Sequence, residues 1–507
     1  MDALRKIILM FLALVAIAAS AQERIQRRPC VRFPINTRAV LPTPNQDWDP
    51  TRTYRQAVLL VEYADSTFSM DDPKTYYNNL LNLTTSNIRG GAGCAADYFR
   101  DQSNGMFNLQ FDVYGPIKVS QSAKKSGEGS NYGDEACLEA VKKAVDSLKV
   151  DFSPYDWNKD GEVDQVILIV SSYAGNGGDA KVEKFIWPNT YYFFNKKVKA
   201  AENLYINQYS VSAEKWYNDI PCGIGTICHE YSHCLGLPDL YPIDNSVFSM
   251  VDEWDLMDGG NYTYWGWCPP NFTALEKQLM GWLTIEEISE PTKITDLKTV
   301  AEGGKAYKFT VEGDKFYYLE NRQQMGWDKG LPGKGLTIYL VDYDAIVWKN
   351  NSVNSKSNYR YQLLHADGMD YDAWDALIEA KGWTEYVDTE NRMNRRHLST
   401  SAYPFVSDTL QVYQCSETPM PLTNIQMTDA GLISFDVEQG TGISPIVEAT
   451  KNDDRWYDLQ GRRLATEPTR KGLYIHNGKL ISKHSPVAEF IDDDGLGAIN
   501  LVCQELL

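Results

Sequence analysis

Two histidines placed four residues apart constrain this chain more than any other feature. They lie in CHEYSHCLGLPD, residues 228–239, and the 507-residue chain has only 6 histidines. Residues i and i+4 share one face of a helix, so His229 and His233 can direct both imidazoles at one point. Imidazole nitrogen is a common zinc ligand, and a glutamate stands between the pair. The segment therefore predicts a metal site on a helix.

A catalytic zinc needs a third protein ligand and an open position for water. The next histidine after the pair is His365, so this segment cannot supply three histidines. Gly236 permits a sharp turn that would return Asp239 to the metal, and Asp239 is the predicted third ligand. Glu276, in the predicted helix FTALEKQLMGWL, is the competing ligand, because some zinc proteases use a glutamate from a downstream helix.

The extended pattern HExxHxxGxxD indicates metal-assisted hydrolysis. Zinc would polarise the scissile carbonyl and lower the pKa of its water towards about 7. Glu230 would take the proton of that water and pass it to the leaving amine, as general base and then general acid. Tyr262 is a candidate donor to the oxyanion, and a packed or surface tyrosine is the alternative. A chance HExxH match is the alternative to the whole site.

A second cation motif is DWNKDGEVD, which follows the spacing of an oxygen-rich calcium loop with glycine at the turn. The ligands it would offer are the side chains of Asp156, Asn158, Asp160 and Asp164 and the carbonyl oxygen of Glu162. The final bidentate glutamate of an EF-hand is replaced by Ile167. We expect a stabilising calcium ion; a solvated Asp/Asn turn is the alternative.

The N-terminus predicts export. Arg5 and Lys6 precede the apolar run IILMFLALVAIAA and then Ala-Ser-Ala, which is the pattern of a secretory signal peptide at residues 1–21. No later segment approaches the ~18 apolar residues of a membrane span, so no integral membrane segment is expected. The net charge of -19, from 49 basic and 68 acidic residues, argues against nucleic-acid binding.

Export permits disulfides among the 9 cysteines, and the odd number leaves at least one unpaired. Cys222 and Cys268 are one candidate bridge. Cys30, in RRPC, is a candidate thiolate ligand that would keep the zinc latent; a disulfide or a free thiol there is the alternative.

The patterns along the chain divide it into several regions. Alternating helix and strand signals stop near Trp282, and short β-like segments follow. The predicted divisions are a signal peptide at 1–21, a leader or short pro-segment at 22–55, a catalytic domain at 56–284, a mostly-β domain at 285–439, a linker at 440–453, a β-like tail at 454–483 and an unexplained extension at 484–507.

Four segments together resemble a known family. HEYSHCLGLPD, WDLMDGG, FTALEKQLMGWL and YYLENRQQMGWDKGLPGKGLTIYLVDYD are similar to blocks of the immune inhibitor A-like secreted metallopeptidases, which are metzincins. The resemblance runs from about Gln56 to Gln439. It implies that Met257, in WDLMDGG, forms the Met-turn, a packing element beneath the metal and not a ligand.

The resemblance implies an α+β fold. A metzincin-like zinc peptidase domain, in which a mixed sheet carries the active-site helix, would be followed by a mostly-β domain and a small β tail. It also implies a secreted or cell-surface zinc endopeptidase, with Zn²⁺ and Ca²⁺ as cofactors and proteins or peptides as substrates, and we expect a monomer. The alternatives are a non-catalytic surface or adhesion protein that retains the fold, and a zinc hydrolase acting on glycans or small amides.

The tail segments YDLQGRRL and KGLYIHNGKLISK are similar to C-terminal sorting modules of bacteria that export through the type IX route. This similarity implies a contact with export machinery. A small β appendage packed on its neighbour is the alternative, and the extension at 484–507 departs from the sorting pattern.

Overall fold

The computed structural model describes part of the chain in detail. The described residues are 41–83, 88–127, 134–177, 181–242, 250–355, 358–368, 398–408, 410–440, 456–457, 472–476 and 479–483. The predicted signal peptide, residues 22–40 of the leader with Cys30, nearly all of the linker and the extension at 484–507 lie outside them.

The first sheet contains five strands. They are β1 (Thr53–Glu62), β2 (Asn108–Lys118), β4 (Val166–Tyr173), β5 (Asn189–Tyr192) and β8 (Gln208–Lys215). Their order is β2-β1-β4-β8-β5, with the first four parallel and β5 antiparallel at one edge. The β4 sequence VILIVSSY is almost continuously apolar, because a central parallel strand is covered on both faces.

Alternation along β1 separates two cores. Val58 and Leu60 pack on one face of the sheet, with helices α1 (Pro73–Asn82) and α2 (Ala95–Gln102). Ala57 and Leu59 point to the other face, where α3 (Asp134–Asp146) packs. Successive side chains of a strand point to opposite faces, so the apolar run at residues 57–61 of β1 can support helices on both faces.

Helix α4 (Gly225–Cys234) carries the histidine pair, and all ten of its residues are buried. The segment GIGTICHEYSHCLGL, residues 223–237, predicts a longer helix than the one observed. A helix that is buried on every side belongs to the interior of a domain. Helix α5 (Ala274–Leu279) begins with a capping box in which Thr273 and Glu276 bond each other's backbone N–H groups.

The region after α5 is rich in β-structure. One sheet has the order β16-β13-β12-β11-β9 and another the order β10-β20-β19. These strands are β9 (Glu286–Glu287), β10 (Thr292–Leu297), β11 (Ala306–Glu312), β12 (Lys315–Arg322), β13 (Gly335–Asp342), β16 (Tyr361–Leu363), β19 (Leu422–Met427) and β20 (Ile433–Val437). Helix α6 (Ala345–Lys349) follows β13.

Strand β12 joins the β-rich region to the first sheet's core. Phe316 and Tyr318 belong to the same hydrophobic cluster as Val58, whereas Tyr317 and Leu319 belong to the cluster of β19 and β20. The described residues up to Gly440 accordingly form one compact unit. The predicted boundary between residues 284 and 285 falls within this unit, between α5 and β9.

Smaller elements complete the described chain. The short strands are β3 (Glu162–Val163), β6 (Val198–Ala201), β7 (Leu204–Ile206), β14 (Asn354–Ser355), β15 (Asn358–Tyr359), β17 (Phe405–Val406) and β18 (Gln411–Val412). The 3₁₀ turns are Ile88–Gly90, Ala123–Lys125, Ser153–Tyr155, Phe194–Lys196, Asp252–Trp254, Gly259–Gly266, Val300–Glu302 and Gly326–Gly330.

A second unit follows Gly440 and contains an antiparallel sheet of the order β21-β22-β23. Its strands are β21 (Trp456–Tyr457), β22 (Gly472–His476) and β23 (Lys479–Lys483). Within the part of the chain that the structure describes, no helix has the length and apolar character needed to cross a membrane.

The α+β class is confirmed, with several sheets, few helices and a β-rich second half. Element ends differ from the predicted ones. The β-like run QAVLLVEYAD predicts a strand at residues 56–65, whereas the observed strand begins at Thr53, because three further residues pair with β2. The predicted helix FTALEKQLMGWL is helical only from Ala274 to Leu279, since the chain turns at Gly281, where φ is +71°.

Candidate metal centre

Helix α4 places the two imidazoles beside each other. The ring centroids of His229 and His233 are 4.7 Å apart and the ring planes are inclined by 84°. Both side chains are completely buried. The i, i+4 spacing therefore does what the sequence predicts, and the two rings converge beneath the sheet edge rather than facing solvent.

Backbone carbonyls fix the orientation of both rings. His229 Nδ1 lies 2.8 Å from the carbonyl oxygen of Leu256, and His233 Nδ1 lies 2.7 Å from that of Leu237. A carbonyl oxygen can only accept, so each Nδ1 carries a hydrogen in these contacts and each neutral ring presents a lone pair at Nε2. The two Nε2 atoms are the ring atoms that face the centre.

Asp239 completes the group. Gly236 adopts φ +105°, a conformation that favours glycine, and the chain turns there directly after α4. Asp239 Oδ1 then lies 3.3 Å from His229 Nε2 and 3.1 Å from His233 Nε2. Burial raises the pKa of the Asp239 carboxyl, whereas His233 and His229, when they are protonated, lower it below its usual range by their charge and by hydrogen bonds.

These three atoms fit a zinc ion. His229 Nε2, His233 Nε2 and Asp239 Oδ1 are buried without a hydrogen-bond partner, and the three ligand atoms lie within 4.8 Å of one another. Two ligands about 2.1 Å from one zinc, at a tetrahedral angle, would be about 3.4 Å apart. The two separations between Asp239 Oδ1 and the imidazole Nε2 atoms, 3.3 and 3.1 Å, are close to that value, and a bound cation would satisfy the converging lone pairs.

Glu230, the predicted base, is completely buried on the same helix. The Thr190 hydroxyl on edge strand β5 lies 2.7 Å from the Glu230 carbonyl oxygen and 3.1 Å from its carboxylate Oε2. This contact fixes one carboxylate oxygen against the edge of the sheet. The sequence reasoning missed Thr190, because the two residues are separated by 40 positions.

The predicted Met-turn lies against the same centre. Met257 is completely buried, its carbonyl oxygen accepts a hydrogen bond from Leu240 N at 2.9 Å, and its N–H donates to Asp255 Oδ1 at 2.8 Å. Leu256, one residue earlier, supplies the carbonyl that orients His229. The turn thus supports both the ligand-bearing loop and one imidazole.

Asn351 is a site residue that the sequence reasoning missed. Its Nδ2 donates to Asp239 Oδ2 at 2.7 Å, and its Oδ1 accepts from Asp239 N at 2.6 Å. It lies in the β-rich region, just after α6, and is completely buried. Asparagine is typical of the left-handed position at a helix C-terminus, so the two consecutive asparagines at 350 and 351 indicate the end of a helix. They do not indicate a contact with Asp239, which is 112 residues away.

Tyr262 and Glu276, the other two candidates, each have hydrogen-bond partners outside the group of three. The Tyr262 hydroxyl accepts a hydrogen bond from Asn176 Nδ2 at 3.0 Å, and its role towards an oxyanion stays a prediction. The Glu276 carboxylate accepts from Thr273 N at 2.7 Å and caps its own helix. Among the described residues the group that converges with the imidazoles contains Asp239 and not Glu276.

The predicted calcium loop is bonded internally. Asp156 accepts from the N–H groups of Asp160 and Gly161 at 3.2 and 3.1 Å, and Asp164 accepts from Trp157 N at 2.6 Å. The Glu162 side chain pairs with Lys197, and the amide of Asn158 donates to Asp160 Oδ2. Calcium binding stays a prediction here: in the described chain these carboxylates do not form a converging group of three.

The Cys222–Cys268 bridge, which was one candidate from the sequence, is not formed. The seven described cysteines are all unbridged, buried thiols. Cys268 Sγ instead lies 3.3 Å from the carbonyl oxygen of Trp327, and burial raises the pKa of its thiol to about 12. Cys222 is held on the other side of the sheet, in the cluster that packs α3.

Comparison with known proteins agrees with this geometry. Residues 74–283 match the family model described as immune inhibitor A peptidase M6, catalytic domain. Residues 74–283, which we call the M6 domain, belong to this family. The matched range contains α4, the loop to Asp239 and the Met-turn, and the resemblance stated from the sequence motifs is confirmed. Asn351 lies outside the matched range of the M6 domain.

Two curated relatives extend the similarity beyond the M6 domain. Immune inhibitor A of Bacillus thuringiensis subsp. alesti is 25% identical over 469 residues, covering 74% of this chain and 63% of that protein. Pre-pro-metalloprotease PrtV of Vibrio cholerae serotype O1 is 23% identical over 283 residues, covering 48% and 30%. The chain therefore spans less than two thirds of the length of each of these relatives.

Proposed function

We propose that this protein is an exported zinc-dependent endopeptidase that hydrolyses peptide bonds of extracellular proteins. The M6 domain and the metalloprotease relatives support a metallopeptidase. The observation that carries the proposal is the convergence of three buried atoms, His229 Nε2, His233 Nε2 and Asp239 Oδ1, that have no hydrogen-bond partner.

In this proposal the histidines and Asp239 hold the metal, which when bound supplies Lewis-acid polarisation of the scissile carbonyl and a water of lowered pKa. Glu230 takes the proton of the attacking water at a carboxylate oxygen and delivers it to the leaving nitrogen. Thr190 holds Glu230 Oε2 while this happens. Leu256 and Leu237 keep both imidazoles in the tautomer that presents Nε2.

The location outside the cell rests on the apolar N-terminal segment and on the name of the PrtV relative, which is a pre-pro form. The substrate class rests on the metalloprotease relatives and on β5, which is the outermost strand of the first sheet among the described residues and lies beside Glu230, where an extended peptide could add as a further strand. Calcium bound at the 156–164 loop and the oxyanion role of Tyr262 belong to the same proposal.

Cleavage of casein by the purified full chain tests the proposal. Glu230→Gln keeps the size of the side chain but cannot accept the proton, so the rate is expected to fall at least about 1000-fold while zinc remains bound. Glu290→Gln, an exposed position, is the matched control. Phenanthroline is expected to abolish cleavage, and added Zn²⁺ to restore it.

Two outcomes would contradict the proposal. Cleavage that survives both Glu230→Gln and phenanthroline would end the peptidase assignment. Stoichiometric zinc without any cleavage of proteins by the wild-type chain would favour the alternative of a non-catalytic surface protein, and cleavage of small amides or glycans alone would favour a different hydrolase.

A further inference from the structure

We infer that Asn351, in the β-rich region, is a positioning residue for the metal centre: it sets the carboxylate of Asp239 so that one oxygen faces the metal. This inference rests on the proposed function, because it assumes that Asp239 is a metal ligand. It deepens the proposal by giving the β-rich region a part in the site that the M6 domain alone does not contain.

The first observation is a two-point contact. Asn351 Nδ2 donates to Asp239 Oδ2 at 2.7 Å, and Asn351 Oδ1 accepts from Asp239 N at 2.6 Å. An asparagine amide has one donor end and one acceptor end, and here the N–H needs an acceptor while the carboxylate needs a donor. Two bonds from one planar group fix the Asp239 side chain relative to its own backbone.

The second observation is that the two carboxylate oxygens of Asp239 have different surroundings. Oδ2 is bonded to Asn351, whereas Oδ1 has no hydrogen-bond partner and faces both Nε2 atoms. A carboxylate whose Oδ2 is held by a neutral amide keeps its negative charge and presents Oδ1 as a single ligand atom. Groups that hold metal ligands in this way typically change metal affinity by about 10–100-fold when they are mutated.

The third observation is the backbone conformation of Asn351 and its place at the end of α6. It adopts φ +50°, in the left-handed region that asparagine tolerates better than most residues, and its N–H donates to Trp348 O at 3.0 Å, ending α6. Asn354, three residues later, donates to Leu240 O at 2.7 Å. The segment after α6 therefore holds residues 239 and 240 through the side-chain hydrogen bonds of Asn351 and Asn354.

The chain offers a matched control for this contact. Asn424 also adopts a left-handed conformation, with φ +51°, and its Nδ2 donates to Asp436 Oδ2 at 2.7 Å. That pair is exposed and lies on the β19–β20 hairpin, away from α4. Asn424→Asp thus repeats the same chemical change in the same backbone conformation without touching the metal centre.

The test measures zinc affinity of the full chain by competition with a chromophoric chelator, using Zn²⁺ alone. Asn351→Asp keeps the acceptor and the backbone preference but replaces the donor by a carboxylate oxygen. We expect about 10-fold or greater loss of zinc affinity for Asn351→Asp and less than twofold for Asn424→Asp. Cobalt substitution gives a second readout, an altered visible spectrum for Asn351→Asp, which a purely structural role would not produce.

Asn351→Gly removes the side chain while keeping a residue that accepts positive φ, so it replaces Asn351→Asp if the latter does not fold. The inference is overturned if the folded variants bind zinc with wild-type affinity and give the wild-type cobalt spectrum, even if their melting temperature falls. A wild-type chain that binds no zinc would instead overturn the proposed function, so the two failures are distinguishable.

Discussion

The Thr190 hydroxyl lies within hydrogen-bond distance of both the carbonyl oxygen and the carboxylate of Glu230, at 2.7 and 3.1 Å. Thr190 is on edge strand β5 and Glu230 is on helix α4, so this contact ties the sheet edge to the helix that bears the imidazoles. Both residues are buried, where an oriented hydrogen bond cannot be replaced by solvent. The position of the proposed base thus depends on a residue from another element.

Thr190→Val removes the hydroxyl but keeps the branched shape. We expect kcat for a peptide substrate to fall about tenfold, a change of ~1.4 kcal/mol, with KM within twofold of wild type, because the carboxylate loses its orientation. Thr190→Ser retains the hydroxyl and should recover most of the rate. A fully active Thr190→Val with normal kcat would show that Glu230 does not need this contact.

The buried pair Asp255 and Glu276 predicts a pH effect on stability. Burial, followed by the Asp255 charge, raises the pKa of Glu276 well above its ordinary value of 4.5. The Asp255 carboxyl also accepts a hydrogen bond from the Met257 N–H, and Arg322 and Tyr361 lie near the same carboxyl. The folded protein keeps the Glu276 proton when the unfolded chain has lost it, so this stabilisation is complete below about pH 4.5 and is lost as the pH rises.

Glu276→Gln mimics the protonated carboxyl and should remove this dependence. The melting temperature of the variant relative to wild type is expected to rise by about 2 °C or more between pH 5 and pH 8. The exposed Glu290→Gln should show no such trend. An equal difference at both pH values would mean that Glu276 is already ionised in the folded protein at pH 5.

The contacts of Trp48 indicate that part of the leader or pro-segment predicted at 22–55 stabilises the fold. Its indole N–H donates to Met280 O at 2.7 Å, and its ring packs on Phe107 and Trp282 with centroids 4.5 and 5.7 Å away. Trp48→Ala should lower the free energy of unfolding by about 3 kcal/mol, and Trp48→Phe by about 1 kcal/mol, as measured by urea denaturation. If residues 41–55 were only a removable pro-segment, Trp48→Ala would leave the stability unchanged.

Arg322 and Asp328 form a buried two-point ion pair, with Nε–Oδ2 and Nη2–Oδ1 distances both 2.8 Å. Asp328 Oδ1 also accepts from Asn271 N at 2.8 Å, which links the β-rich region to the segment before α5. Arg322→Lys cannot reproduce the fork and should cost about 3 kcal/mol of unfolding free energy. Arg360→Lys, at a partly exposed 3.3 Å pair with Asp342, should cost less than about 1 kcal/mol. Equal losses would contradict the role of the buried fork.

The local part of the site was predictable from the sequence. Helix geometry places His229 and His233 on one face. A glycine at position 236 indicates a left-handed turn, and this turn brings Asp239 back towards the imidazoles. Thr190 and Asn351 were not predictable, because each reaches the site through tertiary structure from 40 or 112 residues away. A threonine in a strand or an asparagine after a helix has no pattern that names such a distant partner.

The fold shows the same division. The apolar runs of β1 and β4 and the class of the protein could be read from alternation and composition. The sequence could not show that the first sheet and β12 share one core. The β12 sequence KFYYLENR is buried on both faces, and a strand pattern does not indicate which elements cover each face. The candidate Cys222–Cys268 bridge could not be decided from the sequence for a related reason: both cysteines are near the histidine segment in sequence, but they pack in different hydrophobic clusters.

The most direct test of the site is the metal content of the purified full chain, compared between the wild type and the His233→Ala variant. Elemental analysis after dialysis against buffer with trace zinc should give one zinc per wild-type chain, and His233→Ala should give less than about a tenth of that while the far-UV circular dichroism stays unchanged. A wild-type chain that folds but retains no zinc, or a His233→Ala chain that retains a full equivalent, would contradict a site built from His229, His233 and Asp239.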